Sequence, residues 1–243
     1  MTKKNEPIRL QLYLARSGVA SRRASERLIE HGSVSVNGQI VTRLGTKVLP
    51  TDDVRVDGKR VRIEQRSVYV ALNKPRRYLC SAHDPEGRPL AVSLLEPHYE
   101  ERLFSVGRLD FLSSGLIFYT NDGEFARVVA HPSNQVEKEY RVDAQKPIPN
   151  ALLEEYQRGI VVDGETYRLD RYQYRTPRSV RLTLTEGRNR EIRRVFAHWR
   201  IGVRRIHRVR IGIVKLKDIP SGQYRPLSQK EVDWFFARQR GRS

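Results

Sequence analysis

Val106-Gly-Arg-Leu-Asp-Phe-Leu-Ser-Ser-Gly-Leu-Ile-Phe-Tyr-Thr-Asn-Asp-Gly123 joins a polar, glycine-flanked loop to a continuous apolar run. The run Leu116–Thr120 has the length and composition of a buried strand, and Gly123–Ala130 has the apolar spacing of a short helix. Asp110 lies in the loop, where a carboxylate either forms a turn or helix cap or serves as a catalytic group. The residues alone leave both alternatives open.

Further strands and helices flank this segment without regular alternation. Such a mixture predicts an α+β fold rather than a doubly wound parallel sheet. The predicted strands are Val68–Leu72, Tyr140–Val142 and Val180–Leu184, and the predicted helices are Asn150–Arg158 and Arg190–His198.

The N-terminal part of the chain predicts a separate compact unit of two helices and two hairpins. Leu10, Tyr13 and Leu14 share one helical face, and Ser21 is placed to cap a second helix, Arg22–His31. The pairs Asn37-Gly38 and Asp57-Gly58 favour tight hairpin turns, because these residues accept positive φ angles. We therefore expect a small α/β domain over residues 8–63, followed by a polar linker over residues 64–67.

Positive charge is concentrated at both ends of the chain. The formal net charge is +18, of which residues 1–66 carry +7, residues 67–180 carry −1 and residues 181–243 carry +12. Two basic regions around a nearly neutral middle predict a polyanionic partner, for which nucleic acid is the leading candidate. An anionic membrane surface is the alternative, but no long amphipathic basic helix supports it.

Several common classes of function lack their sequence patterns. The histidines and the single Cys80 show no metal-ligand spacing, and neither a phosphate-binding Walker loop nor a dinucleotide-binding glycine pattern occurs. No apolar run is long enough to span a bilayer, and no secretory signal is recognisable at the start. These features predict a protein of the cytoplasm that does its chemistry with ordinary side chains, without a metal or an organic cofactor.

A second polar segment, Thr185-Glu-Gly-Arg-Asn-Arg-Glu-Ile-Arg-Arg194, carries four arginines at the start of a predicted helix. A partly buried carboxylate such as Asp110 needs a nearby cation to stay ionised, because desolvation alone raises its pKa. The segment can supply that cation, although spacing alone does not identify which arginine does so.

Residues 8–62 resemble the S4-type RNA-binding domain. The resemblance rests on Arg9-Leu, Ser21-Arg-Arg, the stretch from Ile29 through Val34-Ser-Val-Asn-Gly38, and Asp53-Val-Arg-Val-Asp-Gly58. It implies contacts with RNA phosphates, which suit the planar, bidentate guanidinium group. Solvated helix arginines are the alternative. The residues implied are Arg9, Arg22, Arg23 and Arg27.

Four further segments, in order, resemble the signature motifs of pseudouridine synthases, and with the S4-type domain in front the chain is similar to the branch that modifies bacterial ribosomal RNA. The resemblance spans residues 8–236. Its motifs are Asn73-Lys-Pro75, Gly107-Arg-Leu-Asp110, Glu137-Lys-Glu-Tyr140 and Glu186-Gly-Arg-Asn-Arg-Glu-Ile-Arg-Arg-Val-Phe196. One departure is Arg76-Arg77, where the family often has Arg-Gly.

The resemblance implies a role for three residues. Asp110 matches the catalytic aspartate, Tyr140 matches the tyrosine that packs against the target base, and Arg193 matches the arginine that pairs with the aspartate. The implied catalytic domain, residues 68–237, has a central mixed, largely antiparallel sheet, and a basic tail over residues 238–243 is expected to be disordered. Further RNA-binding candidates are Lys74, Arg108, Arg188, Arg190, Arg194 and Arg208, of which Arg208 shares a predicted strand face with Arg204 and Arg210.

The predicted activity is site-specific isomerisation of uridine to pseudouridine in ribosomal RNA, with large-subunit RNA favoured. The expected partner is ribosomal RNA or a ribosomal assembly intermediate, and the expected state is a monomer with no membrane association. The alternative is a non-catalytic, ribosome-associated RNA-binding or assembly factor. That alternative explains the charge and the S4-type domain equally well, but it does not require the combination of Asp110, Tyr140 and Arg193.

Overall fold

The computed structural model of the protein describes residues 6–240, which form two compact units. The first unit comprises the described residues up to Val68, together with Glu100–Arg102. Its helices are α1 (Leu10–Arg16) and α2 (Arg22–Glu30). Its strands are β1 (Ile8–Arg9), β2 (Val34–Val36), β3 (Gln39–Ile40), β4 (Lys47–Val48), β5 (Val54–Val56) and β6 (Lys59–Arg60).

The first unit forms as its local sequence signals predict. The Ser21 hydroxyl accepts a hydrogen bond from the Ala24 backbone N–H at 3.3 Å and caps α2. Asn37 and Asp57 take positive φ angles of 50° and 46° at the two hairpin turns, so the strands order as β3-β2-β5-β6. The apolar faces of the two helices close the core against the hairpins, with Leu10, Tyr13, Leu14 and Ile29 buried.

The second unit, Tyr69–Tyr99 with the described residues from Leu103 onward, is built on a nine-stranded sheet. The strands of this sheet are β7 (Tyr69–Lys74), β8 (Phe104–Val106), β9 (Ser114–Thr120), β10 (Lys138–Ala144), β13 (Arg171–Thr176), β14 (Ser179–Leu184), β15 (Val203–Ile211), β16 (Val214–Lys215) and β17 (Tyr224–Pro226). Strands β11 (Ile160–Val162) and β12 (Glu165–Tyr167) form a separate hairpin. The sheet has the strand order β13-β14-β10-β15-β9-β7-β17, with β8 paired to β9 and β16 paired to β15.

Strands β15 and β9 pair in parallel, and the other strand pairs of this sheet are antiparallel within the described residues. The predicted α+β class with a mixed, largely antiparallel sheet is therefore confirmed. The helices are α3 (Gly123–Ala130), α4 (Asn150–Arg158), α5 (Glu191–His198) and α6 (Gln229–Arg240), and short 3-10 turns occur at Ala91–Leu94, Glu96–His98 and Pro132–Asn134.

Helix α6 corrects the prediction for the end of the chain. The helix continues through Arg240, so the first residues of the predicted disordered tail, 238–240, are helical, while residues 241–243 lie outside the described residues. The helix forms because Val232 and Phe235 are buried against Phe118 and Phe125, in the same core that covers one face of the sheet.

Candidate active site

The Asp110 loop, residues 107–113, borders a cleft at the centre of the second unit. The cleft has a volume of about 160 Å³, and β10, β15 and the start of α5 provide its other walls. Backbone hydrogen bonds hold the loop in place: Ser113 N–H donates to Asp110 O at 2.9 Å, and Arg77 N–H donates to Phe111 O at 2.6 Å. The Asp110 side chain remains 38% exposed, so the carboxylate is accessible from the cleft.

Arg193 supplies the cation that the sequence required near Asp110. Its Nε lies 3.8 Å from Asp110 Oδ2, and its side chain is only 16% exposed. Burial lowers the pKa of Arg193, whereas the charge of Asp110 raises it. Its Nη2 is buried and has no hydrogen-bond partner among the described residues, so the guanidinium is held mainly by electrostatic attraction to Asp110.

Tyr140 lies on β10 and lines the same cleft as Asp110. Its neighbour across the sheet is Arg208 of β15, whose guanidinium carbon lies 5.9 Å from the centre of the Tyr140 ring. Arg208 Nη1 donates to the Tyr140 hydroxyl at 3.4 Å, and its Nε donates to Leu116 O at 2.6 Å. These contacts orient the tyrosine ring from beneath.

Arg208 was predicted to bind RNA from a strand face shared with Arg204 and Arg210, but its side chain is only 3% exposed. It still lines the Asp110 cleft, so its contact with RNA stays a prediction. Arg210, from the same predicted face, is neutralised by ion pairs with Glu137 at 3.0 Å and Glu139 at 3.4 Å. Since cross-strand carboxylates and burial are set by tertiary pairing, strand alternation alone could not reveal them.

Lys74 is a second correction. It was predicted to contact RNA, but its side chain is fully buried, and Nζ donates to Pro75 O and Tyr78 O at 2.8 Å each. Burial lowers its pKa to about 8, against the opposing effects of Cys80 and Asp110. Lys74 therefore organises the chain that follows β7 and is not available to the RNA backbone.

The remaining arginine candidates of this unit differ in their placement. Arg108, Arg188 and Arg190 are exposed and line the cleft. Arg194 does not line it, because its Nη1 donates to the Tyr167 hydroxyl at 3.1 Å. Their contacts with RNA stay predictions.

The four candidates of the first unit are solvent-exposed, as an RNA-binding role requires. Arg9 precedes α1, and the other three lie on α2 beyond its Ser21 cap. Contact with RNA stays a prediction for Arg9, Arg22, Arg23 and Arg27.

Glu191 and Tyr156 were not predicted from the sequence. Glu191 Oε1 accepts a hydrogen bond from the Tyr156 hydroxyl at 2.9 Å, and Oε2 accepts from the Arg188 backbone N–H at 3.1 Å. Burial raises the pKa of Glu191. The carboxyl fixes the loop before α5 and with it the position of Arg193. An acidic residue in the first turn of a basic helix was the available signal, whereas nothing in the sequence indicated Tyr156.

Among the described residues, no group of three or more histidine, cysteine or acidic side chains is arranged to hold a metal ion. Over the same part of the chain, no helix is long and apolar enough to cross a membrane.

Comparison with known proteins gives consistent matches over nearly the whole chain. Residues 68–198 match the RNA pseudouridylate synthase family, and residues 8–54 match the S4 domain. An RNA pseudouridine synthase of Borreliella burgdorferi is 45% identical over 228 residues, which are 91% of each chain. The ribosomal large subunit pseudouridine synthase B of Bacillus subtilis is 37% identical over 232 residues, covering 92% of this chain and 93% of the relative.

A solved structure agrees with these matches. The crystal structure of a pseudouridylate synthase superimposes with a TM-score of 0.70 at 28% identity, covering 94% of this chain and 99% of the other.

Proposed function

The chain belongs to the RNA pseudouridylate synthase family, and from that premise we propose that it isomerises a specific uridine of large-subunit ribosomal RNA, with Asp110 as the nucleophile. The observation that carries the assignment of Asp110 is its accessible carboxylate beside the buried Arg193 guanidinium, in a cleft that Tyr140 also lines. The relative from Bacillus subtilis, which is named for the large ribosomal subunit, supports the choice of RNA.

The reaction breaks the glycosidic C–N bond, turns the freed uracil and joins it to the sugar through carbon. There is no net redox change and no net hydrolysis. A carboxylate nucleophile divides such a step into two easier ones. The Arg193 guanidinium lies beside Asp110 and places a positive charge next to the attacking carboxylate.

The target base must leave its stack before Asp110 can reach the sugar. Tyr140 offers a flat aromatic face for the flipped base, and Arg208 beneath it fixes the orientation of the ring. The exposed arginines at the rim of the cleft, Arg108, Arg188 and Arg190, then hold the phosphates on either side of the flipped nucleotide. The S4 domain adds a second contact with RNA through α2.

We further propose that the protein acts in the cytoplasm as a monomer. Its substrate would be free ribosomal RNA or an assembling ribosomal particle. The test is a pseudouridine map of ribosomal RNA from cells with and without this gene. We expect one modified position of the large-subunit RNA to be lost and then restored by the wild-type protein. Loss of a small-subunit position would contradict the choice of subunit, and an unchanged map would contradict ribosomal RNA as the substrate.

A further inference from the structure

A second groove lies on the face of β15 opposite to the Asp110 cleft. Successive side chains of a strand point to opposite faces. Ile206 and Arg208 therefore line the cleft, whereas Arg205 and His207 line the second groove. Its volume is about 610 Å³, and its polar wall consists of Asn73, Arg76, Ser114, Arg205, His207 and Ser221.

The groove carries two exposed guanidinium groups, and the single negative charge of Asp143, opposite Arg205 on β10, offsets them only in part. Arg76 and Arg205 are exposed, and neither forms an ion pair within the part of the chain that the structure describes. None of the described residues that line the groove is acidic. Arg210 of the same strand shows the contrast, because the carboxylates of Glu137 and Glu139 hold it.

A neutral histidine and a serine form the floor of the groove. Ser114 Oγ and His207 Nδ1 are hydrogen-bonded at 2.9 Å. Burial, together with the charges of Arg205 and Arg141, lowers the pKa of His207 to about 4 against the opposing charge of Asp143. The imidazole thus adds hydrogen-bonding capacity to the groove without adding a third positive charge.

Asn73 is the observation that points most directly to a ligand. Its side chain is only 7% exposed, and Nδ2 donates to Ile219 O at 2.7 Å, which ties β7 to the loop before β17. Its Oδ1 is buried without a hydrogen-bond partner among the described residues. Buried side-chain acceptors are normally satisfied, so an unsatisfied one lining a polar groove is a candidate for a bond from a ligand hydroxyl.

We propose that this groove binds a phosphodiester of the substrate RNA, with the phosphate oxygens on Arg76 and Arg205. Two guanidinium groups provide the planar, charge-assisted donors that phosphate oxygens prefer. The Asn73 acceptor suits a ribose 2′-hydroxyl of the same segment, which is a feature that separates RNA from DNA. This inference rests on the proposed function, since it takes the substrate to be RNA.

The two sites lie on opposite faces of the sheet, so the groove is a contact beyond the catalytic cleft. Arg76 is near enough to Arg193 for its charge to lower the pKa of Arg193, so RNA affinity, and not turnover, is the property that tests the groove. An RNA strand that continues past the flipped nucleotide can reach it around the end of β7, where Arg76 lies.

The first test measures affinity. We would compare binding of a single-stranded oligouridylate by the full-length wild-type protein, the double variant Arg76→Gln/Arg205→Gln, and the matched control Arg158→Gln/Arg168→Gln. The control removes the same charge from exposed positions that do not line either pocket. We expect the groove variant to bind about tenfold more weakly at 0.1 M salt and to have a shallower salt dependence than the control, since each lost phosphate contact lowers that slope by roughly 0.7.

The second test observes His207 directly by nuclear magnetic resonance of the histidine imidazoles, with His207→Asn to assign the signal. A bound phosphate should move the His207 resonance and raise its pKa, because the anion offsets the charges of Arg205 and Arg141. We expect this change with the oligouridylate in the wild-type protein and its loss in the Arg76→Gln/Arg205→Gln variant. An oligodeoxyuridylate should produce a smaller change.

Three outcomes would overturn the inference. Equal loss of affinity in the groove variant and the control would mean that only net charge matters. A His207 signal that moves with inorganic phosphate but not with the oligouridylate would assign the groove to a small phosphate ligand instead of RNA. If the wild-type protein modifies ribosomal RNA but neither the oligouridylate nor inorganic phosphate moves the His207 signal, the groove proposal alone is refuted. Failure to modify ribosomal RNA would instead refute the proposed function.

Discussion

Replacing Lys74 by methionine should change how the stability of the protein depends on pH. Lys74 is fully buried at the end of β7, and burial lowers the pKa of its ammonium group from 10.5 to about 8. Between these two pH values, the unfolded chain binds a proton that the folded chain does not. The free energy of unfolding contributed by this group therefore rises as the pH increases through that window.

The magnitude follows from the two pKa values. Their difference, at about 1.36 kcal/mol for each pH unit, corresponds to about 3 kcal/mol. Because the side chain is not exposed, solvent screening does not reduce this figure appreciably. Below about pH 8 the folded protein holds Lys74 as a buried ammonium with two carbonyl partners, which costs free energy relative to the unfolded chain. Above about pH 10.5 the group is neutral in both states, so this cost is absent.

The assay is denaturant unfolding of the wild-type protein and Lys74→Met at intervals from pH 7 to pH 10.5. Other groups titrate in both proteins, including Lys138, whose pKa burial also lowers to about 8, so the difference between the two curves isolates Lys74. Across this pH range, we expect the free energy of unfolding of the wild-type protein to rise by about 3 kcal/mol relative to that of the variant. Lys146→Met, at an exposed position, should run parallel to the wild type. A parallel curve for Lys74→Met would refute a buried, charged Lys74.

Three further substitutions test local features of the fold and the site. Gly115→Ala should lower the free energy of unfolding by roughly 3 kcal/mol or more in chemical denaturation, because φ is +106° and a Cβ would lie 2.3 Å from Arg208 O. The control Gly123→Ala should be near neutral, because a Cβ there meets nothing within 4 Å. Arg77→Gly should raise the free energy of unfolding by about 1 kcal/mol, because it relieves a non-glycine φ of +63°. The same variant should bind RNA more weakly in a titration if the arginine side chain contacts RNA. A loss of stability would contradict the backbone strain inferred at Arg77. Tyr140→Phe should keep substrate affinity within about twofold but lower kcat by roughly a hundredfold or more if the hydroxyl takes part in proton transfer. An unchanged kcat would limit the role of Tyr140 to stacking against the base.

Elements with local signals could be predicted well from the sequence. Helices α3 and α4 begin and end where predicted, at Gly123–Ala130 and Asn150–Arg158. Asp122 caps α3 by accepting from Glu124 and Phe125 N–H, and Gly159 stops α4. The hairpin turns at Asn37 and Asp57 formed for a similar reason, since their backbone conformation is decided by adjacent residues.

Features that depend on tertiary contacts were missed or misassigned. Strand β13 was not predicted, because its exposed, polar residues acquire strand geometry from pairing with β14. The burial of Lys74 and Arg208 was not predicted, because charged residues in a basic motif are usually exposed, whereas here backbone carbonyls and Tyr140 hold them inside the sheet. The candidate pairing of Asp110 with Arg193 came from the family resemblance, since four arginines in one segment could not be distinguished by spacing.

The role of Asp110 is tested most directly by assaying the purified Asp110→Asn variant on the ribosomal RNA that carries the target uridine, after mass spectrometry confirms the amide. The change removes the nucleophile and the charge facing Arg193 but almost no volume. We expect RNA binding to stay within about threefold of wild type while pseudouridine formation falls below detection. Pseudouridine formation at a rate near that of the wild type would contradict the assignment of Asp110 as the nucleophile.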